Sequence, residues 1–159
     1  MSDVFSPAER SAVMRAVKSA NTAPELAVRA AARALGAGYR LGGWDLPGKP
    51  DLVFPGRKTA LFVHGCFWHG HDCKRGARAP KANADYWSAK IARNRARDAA
   101  TLAALAARDW NTLVIWECDT RDAAALQARL APLLTPPAPR LRRASAPSAA
   151  TAPPRSPEA

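Results

Sequence analysis

The chain has 159 residues, which suits one domain and is long enough to bury an apolar core without disulfides. It contains no run of about 18 apolar residues that could span a membrane and no apolar export signal at its N-terminus, so we expect a cytoplasmic protein with no membrane role. The 24 Lys and Arg outnumber the 13 Asp and Glu, and the net charge of +11 favours a polyanionic partner, usually nucleic acid, although charge alone could also serve solubility.

Two helix starts are legible in the first quarter of the chain. Ser6-Pro7-Ala8-Glu9 combines a capping box with a proline in the first turn and predicts a helix to about Val17. Thr22-Ala23-Pro24-Glu25 repeats this device and predicts a second helix that Gly36 ends. Because Glu25 is the capping partner of Thr22, the pattern by itself gives this carboxylate a structural role and no catalytic one.

The front half of the chain is rich in turns and the back half favours helices, because all nine glycines precede residue 77. We predict extended segments near 39–41, 51–54, 60–63 and 112–117, a long alanine-rich helix at about 85–108, and a closing helix at 121–134. The order α, α, β, β, β, α, β, α predicts an α/β fold with a central mixed sheet flanked by helices.

The end of the chain differs in composition from the rest. Seven prolines and four arginines lie among many alanines and serines between Thr135 and Ala159. Such a segment buries too little apolar surface to offset its ordering entropy, so we predict a disordered basic tail at 135–159. The predicted domain therefore spans residues 1–134, with residues 1–20 as an N-terminal arm and helix.

Cys66, His71 and Cys73 lie within eight residues of one glycine-containing loop. Two thiolates and an imidazole at the spacing C-x4-H-x-C supply three of the four tetrahedral ligands of a structural zinc site. Cys118, at the end of a predicted strand, is the candidate fourth ligand, and its use would account for the odd number of cysteines. The alternative is that Cys118 is an ordinary buried cysteine and that the loop is merely polar.

A carboxylate and two further histidines form a second candidate site. Asp51 begins one predicted strand and the next strand runs into His64, so a hairpin would bring Asp51 close to Val63 and His64. A carboxylate beside a backbone carbonyl suits Mg²⁺, which can activate water and stabilise a pentavalent phosphate. His64 and His69 are left over for acid–base work or phosphate contact, although Asp51 alone could be a turn residue.

Large aromatic residues stand where a core would not place them. Phe67 and Trp68 lie between the candidate zinc ligands and could unstack DNA by inserting between base pairs. Trp87, at the start of the long helix, could join them or could simply pack on the sheet. Basic and polar residues that include Lys90 and Asn94 follow on that helix and suit phosphate contacts, although such a helix face is usually only solvated.

Three segments resemble the very short patch repair (Vsr) endonucleases. They are Leu46–Asp51 (Leu-Pro-Gly-Lys-Pro-Asp), Phe62–Cys73 (Phe-Val-His-Gly-Cys-Phe-Trp-His-Gly-His-Asp-Cys) and Trp116–Cys118 (Trp-Glu-Cys). The N-terminal Met14–Val17 and the helix of Glu25 also match in place, so the resemblance covers about residues 1–131. The His-Gly-Cys-Phe-Trp-His block is highly specific to this family.

The resemblance implies a restriction-endonuclease-like core and a Mg²⁺-dependent enzyme that nicks DNA 5′ to the T of T:G mismatches, which arise when 5-methylcytosine deaminates. It implies Mg²⁺ binding by Asp51 and by the backbone carbonyl of Val63. His69 would act as the general base, His64 would act on the phosphate, and Glu25 would help to hold the metal–water cluster. It further implies structural zinc ligation by Cys66, His71, Cys73 and Cys118, and DNA contact by Met14 from the N-terminal arm, Phe67, Trp68, Trp87, Lys90 and Asn94.

Two features depart from the family pattern, and two alternative functions stay open. Val63 stands where the best-known family form has threonine, and this is tolerable only if the backbone carbonyl alone binds metal. The basic tail has no counterpart in the pattern. The alternatives are a restriction-type nuclease with another target and a non-catalytic, zinc-stabilised DNA-binding module.

The expected partner is double-stranded DNA with a T:G mismatch, bound by a monomer that associates with the nucleoid while it acts. Mismatch-repair proteins and a cognate cytosine-5 methyltransferase are further candidate partners that the sequence does not identify.

Overall fold

A computed structural model describes residues 20–42, 45–78 and 80–134, together with residues 6, 8, 9, 11 and 12. Within these ranges, Ser6 and Glu9 exchange the reciprocal hydrogen bonds of the predicted capping box. Most of the predicted first helix, Met14 and the predicted basic tail lie outside the described residues. The elements are α1 (Ala23–Ala34), β1 (Leu52–Phe54), β2 (Thr59–His64), α2 (Ala84–Ala106), β3 (Asn111–Trp116) and α3 (Ala123–Leu134), with 3-10 helices at Pro55–Arg57 and Glu117–Arg121.

The strands form the predicted mixed sheet. β1 pairs with β2 in the antiparallel sense, β2 pairs with β3 in the parallel sense, and the strand order is β1-β2-β3. The extended segment predicted at 39–41 is reduced to one antiparallel bridge between Arg40 and Val53. Gly42, with a positive φ of 60°, turns the chain soon after this bridge and limits further pairing.

Helices cover both faces of the sheet, which gives the predicted α/β architecture. On one face, Leu52, Leu61 and Ile115 pack with buried residues of α1 and α3. On the other face, Ala60 and Phe62 pack with Leu105 of α2. Successive strand residues point to opposite faces, so even-numbered residues of β2 point toward α2. His64, at the end of β2, therefore belongs to the face that α2 covers.

The start of α1 departs from the predicted capping box. The Thr22 hydroxyl donates to Oε1 of Glu25 at 2.9 Å, and Oε2 of Glu25 accepts the backbone N–H of Asn21 at 2.8 Å. A capping box would instead use the N–H of Thr22 and return a bond to the N–H of Glu25. Glu25 is thus held by the turn that precedes the helix, and it is buried, with 6% of its surface exposed.

Among the described residues, none of the helices has both the length and the apolar character needed to cross a membrane.

Candidate active site and metal centre

The junction of β1 and β2 positions Asp51. Its backbone N–H donates to the carbonyl of Leu61 at 2.9 Å, although Leu61 is already the partner of Leu52, so two residues of this strand oppose one residue of β2, as in a β-bulge. Its carboxylate accepts the backbone N–H of Val63 at 2.7 Å. Asp51 therefore lies beside Val63, as the hairpin argument predicted. Asp51 lines the same cavity as Phe62 and His64, on the face of the sheet that α2 covers.

A cavity of about 260 Å³ opens between this end of the sheet and α2. Three of the sequence-predicted catalytic residues line it, namely Asp51, His64 and His69. Asp98, from α2, lines the same cavity. The remaining lining residues are Gly48, Lys49, Phe62, Arg97, Thr101 and Leu102. One concave site thus combines carboxylates, histidines and cationic side chains, as enzyme active sites commonly do.

His64 and His69 stack face to face in this cavity. Their ring centroids are 3.9 Å apart and their planes differ by 7°. Nδ1 of His69 lies 2.5 Å from Oδ2 of Asp98, and both side chains are 23% exposed. The ligand atoms of His64, His69 and Asp98 all lie within 4.8 Å of one another. A carboxylate, a histidine bonded to it and a second histidine form an arrangement suited to proton transfer.

The surroundings of this site shift two protonation equilibria. Burial, together with the charge on His69, lowers the pKa of His64 to about 4, so His64 is neutral near pH 7. Burial raises the pKa of the Asp51 carboxyl, and the nearby charge of Glu25 adds to this effect. The bond from the Val63 N–H acts in the opposite direction and favours the charged carboxylate.

Glu25 reaches the neighbourhood of Asp51 but is engaged elsewhere. Its Oε2 forms an ion pair with the buried Arg29 at 3.2 Å, in addition to the bonds from Asn21 and Thr22. Within the described part of the chain, the clusters with ligand atoms mutually within 4.8 Å include neither Glu25 nor Asp51. The charge of Glu25 nevertheless acts on the Asp51 carboxyl, where it adds to the effect of burial on the pKa.

The four predicted zinc ligands come together. The ligand atoms of Cys66, His71, Cys73 and Cys118 all lie within 4.8 Å of one another, and the cluster could hold a metal ion. Nδ1 of His71 faces the sulfurs, 3.5 Å from Sγ of Cys118, while its Nε2 lies 3.4 Å from the exposed carboxylate of Asp72. Three sulfurs and one nitrogen form a donor set that suits tetrahedral zinc.

The loop that carries these ligands is tightly folded. The N–H of His71 donates to the carbonyl of Cys66 at 2.9 Å. A Cβ added at Gly76 would lie 2.0 Å from the carbonyl oxygen of His71, so the loop requires glycine there. The His71 ring also stacks on Trp116 of β3 at 4.4 Å, and Arg75 pairs with Glu117 at 3.1 Å. Trp116 is half-buried and supports the cluster.

The thiols of the cluster have divergent acidities. A hydrogen bond from the Gly76 N–H is the largest cause that lowers the pKa of Cys73 to about 6. Burial raises the pKa of Cys118 to about 12 and also raises the pKa of Cys66. Two of the three thiols thus resist deprotonation by themselves, and a bound cation would favour their thiolate forms.

The predicted wedge residues form an aromatic cluster with the N-terminal end of α2. Ring centroids of Phe67, Trp68 and Trp87 lie 5.0 to 5.8 Å apart, and Tyr86 joins Trp87 at 5.1 Å. Nζ of Lys90 lies 5.4 and 5.5 Å from the ring centroids of Trp68 and Trp87. These rings are not part of the buried core, so the cluster presents aromatic and cationic surface together.

Asn94, a DNA contact implied by the sequence resemblance, also has a structural contact. Its side-chain amide donates to the carbonyl of Trp68 at 2.8 Å. This bond ties the aromatic part of the loop to α2, so one side of the Asn94 amide is already in use.

Sequence reasoning missed two residues of this region, Asp98 and Tyr86. Asp98 lies four residues after Asn94 and eleven after Trp87, a spacing that puts all three on one side of α2. Apart from Asp85 in the first turn, Asp98 is the one acidic residue of this basic helix. An acidic residue on the same side of a basic helix as Trp87 and Asn94 is the feature by which the sequence could have identified Asp98.

Comparison with known proteins finds a family and several relatives that match this chain. Residues 2–75 match the family described as DNA mismatch endonuclease Vsr. The chain is 52% identical to the type II nicking enzyme V.XorIIP of Xanthomonas oryzae pv. oryzae. The 136 matched residues cover 86% of this chain and 99% of that protein. It is 39% identical to the type II nicking enzyme V.NmeAIP of Neisseria meningitidis, over 82% of this chain and 92% of that protein. It is 36% identical to the DNA mismatch endonuclease Vsr of Escherichia coli, over 76% and 77% of the two chains.

Proposed function

This chain belongs to the Vsr family of DNA mismatch endonucleases, and on that premise we propose that it nicks one DNA strand 5′ to the thymine of T:G mismatches left by deamination of 5-methylcytosine. Membership makes it a DNA-acting endonuclease. One relative is named a mismatch endonuclease and others are named nicking enzymes, which supports both halves of the proposal. The observation that carries it is one loop that holds His69 in the catalytic cavity and Phe67 and Trp68 in the aromatic cluster.

Mg²⁺ is the proposed catalytic ion, held by Asp51 and the backbone carbonyl of Val63. The N–H and the carbonyl of one strand residue point to the same side of the strand, and the carboxylate of Asp51 accepts the N–H of Val63. The Val63 carbonyl therefore faces the side on which Asp51 lies. One carboxylate with a carbonyl suits Mg²⁺, which keeps several waters and takes further oxygens from substrate phosphate. When bound, the ion would supply an activated water and charge stabilisation at the phosphate.

His69 is the proposed general base, and Asp98 positions it. A carboxylate only accepts hydrogen bonds, so the contact between Asp98 and Nδ1 of His69 requires the proton on Nδ1. Nε2 is then left unprotonated and able to accept a proton from the attacking water. His64, neutral near pH 7, can donate one hydrogen bond to a phosphate oxygen from the ring that stacks on His69.

Glu25 has a proposed supporting role. Its charge acts on Asp51, and its own position is fixed by Arg29 and by the turn that begins α1. Any metal-bound water that it orients would therefore meet a carboxylate that cannot easily rotate.

Replacement of Asp98 by asparagine is expected to slow nicking by roughly 10²–10⁴-fold, the usual contribution of positioned acid–base catalysis. Asparagine can present its NH₂ group to Nδ1, which removes the preference for the reactive tautomer of His69. The measurement is the single-turnover nicking rate at saturating enzyme, with DNA affinity measured separately. Asp85→Asn, an exposed substitution on the same helix, is the control and should keep the wild-type rate. Equal rates for the two variants would remove Asp98 from the mechanism.

Zinc is the proposed occupant of the cluster formed by Cys66, His71, Cys73 and Cys118. Its role would be structural, because all four positions are filled by protein ligands and none is left for substrate. The contact of Asp72 with Nε2 of His71 is the kind of outer contact that fixes a ligand imidazole. Zinc would thus fix the loop that carries both His69 and the aromatic cluster.

The aromatic cluster is the proposed mismatch-recognition surface. Phe67, Trp68 and Trp87 would wedge beside the mismatched pair, which unstacks at lower cost than a paired step. The ammonium group of Lys90 lies over the rings of Trp68 and Trp87 and would contact the DNA at this surface. Asn94 would contact the DNA through the amide atoms that its bond to Trp68 leaves available. Met14 would contact the DNA from the N-terminal arm.

The remaining proposals concern the whole chain. We infer a restriction-endonuclease-like core, an endonuclease domain over residues 1–134, and a basic Pro/Ala-rich tail at 135–159. The enzyme would act as a monomer on double-stranded DNA, with mismatch-repair proteins and a cytosine-5 methyltransferase as candidate partners.

The test is a nicking assay with Mg²⁺ on a panel of duplexes that differ in the bases flanking one T:G pair. We expect nicking of at least one member and none of the fully paired versions. Equal cutting of paired duplexes would favour a restriction-type nuclease. Binding of T:G duplexes without nicking under any divalent metal would favour a non-catalytic DNA-binding module.

A further inference from the structure

Two cations line the same cavity as the catalytic residues and form no ion pair with an anion of the described part of the chain. Lys49 and Arg97 both border the space that Asp51, His69 and Asp98 enclose. We propose that Lys49 and Arg97 form an anion-binding site that holds the non-bridging oxygens of the DNA phosphate to be cleaved. This inference rests on the proposed nicking function and adds to it the residues that bind the reacting phosphate.

The backbone around Lys49 is built to hold this side chain at the cavity. Lys49 adopts a left-handed conformation with φ +51°, which is uncommon for a residue with a side chain, and the preceding Gly48 has φ +76°. Such conformations are maintained only when the surroundings fix them, and they are concentrated at functional sites. A Cβ added at Gly48 would lie 2.2 Å from a side-chain carbon of Thr101, so this turn packs directly on α2.

Arg97 belongs to α2 and borders the cavity from that helix. It immediately precedes Asp98 on α2, and Thr101, one turn later, lines the same cavity. Arg97 and Lys49 therefore come from two elements that the contact between Gly48 and Thr101 locks together. Their relative position does not depend on the loop that carries His69.

The charges of the cavity leave these two cations available. Asp98 is paired with His69, and the carboxylate of Asp51 is bonded to the N–H of Val63. Among the residues that the structure describes, no ion pair uses the ammonium of Lys49 or the guanidinium of Arg97. Both side chains are exposed and meet no desolvation cost before DNA arrives. A phosphate placed in the cavity would thus be their first close anionic partner.

We expect this site to contribute more to the rate of the reaction than to the affinity for DNA. When water attacks phosphorus, negative charge increases on the non-bridging oxygens. Fixed cations aimed at that charge stabilise the transition state more than the bound substrate. Loss of either cation should therefore lower the nicking rate more than it weakens DNA binding.

The test compares Lys49→Ala and Arg97→Ala with Arg93→Ala, which removes a charge from the exposed side of the same helix outside the cavity. We expect the single-turnover rate at saturating enzyme to fall about 10²-fold for each of the first two variants, the scale for loss of one transition-state donor. Arg93→Ala should keep the wild-type rate, and Lys49→Arg should recover part of the loss. Equal rates for all three alanine variants would overturn the proposal.

A second measurement separates this proposal from the proposed function. Binding is measured without catalysis, in Ca²⁺, to duplexes with a neutral methylphosphonate either at the cleaved phosphate or three nucleotides away. The effect of Lys49→Ala or Arg97→Ala on affinity should disappear only for the first duplex, because the charge that they contact is gone. If the effect persists in both duplexes, the cations do not bind the cleaved phosphate, even if the wild-type protein nicks T:G DNA. If the wild-type protein fails to nick, the same comparison with the methylphosphonate immediately 5′ to the mismatched T still tests the site.

Discussion

Asp51→Asn is expected to reduce nicking on the order of 10³-fold or more while DNA binding is retained. A metal ion contributes several kcal/mol of transition-state stabilisation, and each ~1.4 kcal/mol changes a rate about tenfold. Asparagine keeps an oxygen that can accept the N–H of Val63, so the local fold should survive. The variant lacks only the negative charge that would hold Mg²⁺.

The measurement is the single-turnover nicking rate of a T:G duplex over a range of Mg²⁺ concentrations. Burial raises the pKa of Asp51, which means that the folded protein disfavours its charge in the absence of a cation. The midpoint of thermal unfolding without metal should therefore stay equal or rise slightly. A variant that nicks like the wild type at every Mg²⁺ concentration would exclude Asp51 as the metal ligand.

Cys118→Ser is expected to lose the metal and a large part of the stability of the fold. Structural zinc in zinc-finger peptides binds with about 10–16 kcal/mol of apparent free energy, which is comparable to the whole stability of an ordinary domain, about 5–15 kcal/mol. Cys118 comes from the 3-10 helix after β3, whereas the other ligands belong to one loop. Its loss removes the ligand that joins that loop to the end of β3, and we expect a destabilisation of at least about 3 kcal/mol, or ~10 °C in melting temperature.

The metal content of the purified protein and its thermal unfolding are the two measurements. His69→Ala is the matched control, because it removes a histidine of the same loop that does not belong to the cysteine cluster. This control should keep one zinc per chain and lose activity. Serine at position 118 with full zinc content and an unchanged melting temperature would contradict the structural-zinc proposal.

Much of the fold was accessible from the sequence because its signals are local. The helix that begins after Thr22 and the strand ending at His64 both depend on residues close in the chain. The proximity of Asp51 to Val63 followed from hairpin geometry alone. The convergence of Cys118 with the loop cysteines was also predictable, since zinc chemistry requires a fourth ligand.

Other features depend on how distant elements pack, and the sequence carries no direct record of that. The pairing of Asp98 with His69 joins residues 29 positions apart and needs α2 to cross the open end of the sheet. The bonds of Glu25 to Asn21 and Arg29 replaced the expected capping box because the carboxylate turned back toward the preceding turn and along the helix. Lys49 lies at the cavity because its backbone adopts a left-handed conformation, which the pattern of side chains in the sequence does not predict.

Val63 illustrates how packing bears on a question that the sequence raised. Strand alternation directs the Val63 side chain to the face opposite Asp51 and His64, and it packs against the core cluster formed by the sheet with α1 and α3. Only its backbone groups border Asp51. A hydroxyl at this position would therefore point away from the cavity, which supports a role for the Val63 carbonyl alone.

The most direct test of the central claim is a strand-resolved nicking assay with Mg²⁺. Duplexes with one T:G pair, in a flanking context that supports nicking, carry a label on either the T strand or the G strand, beside matched C:G and T:A duplexes. We predict one break, in the T strand immediately 5′ to the mismatched T, and intact G strands and matched duplexes. Cutting of matched duplexes at the same rate, or a break in the G strand, would contradict the assignment of this chain as a T:G-specific nicking enzyme.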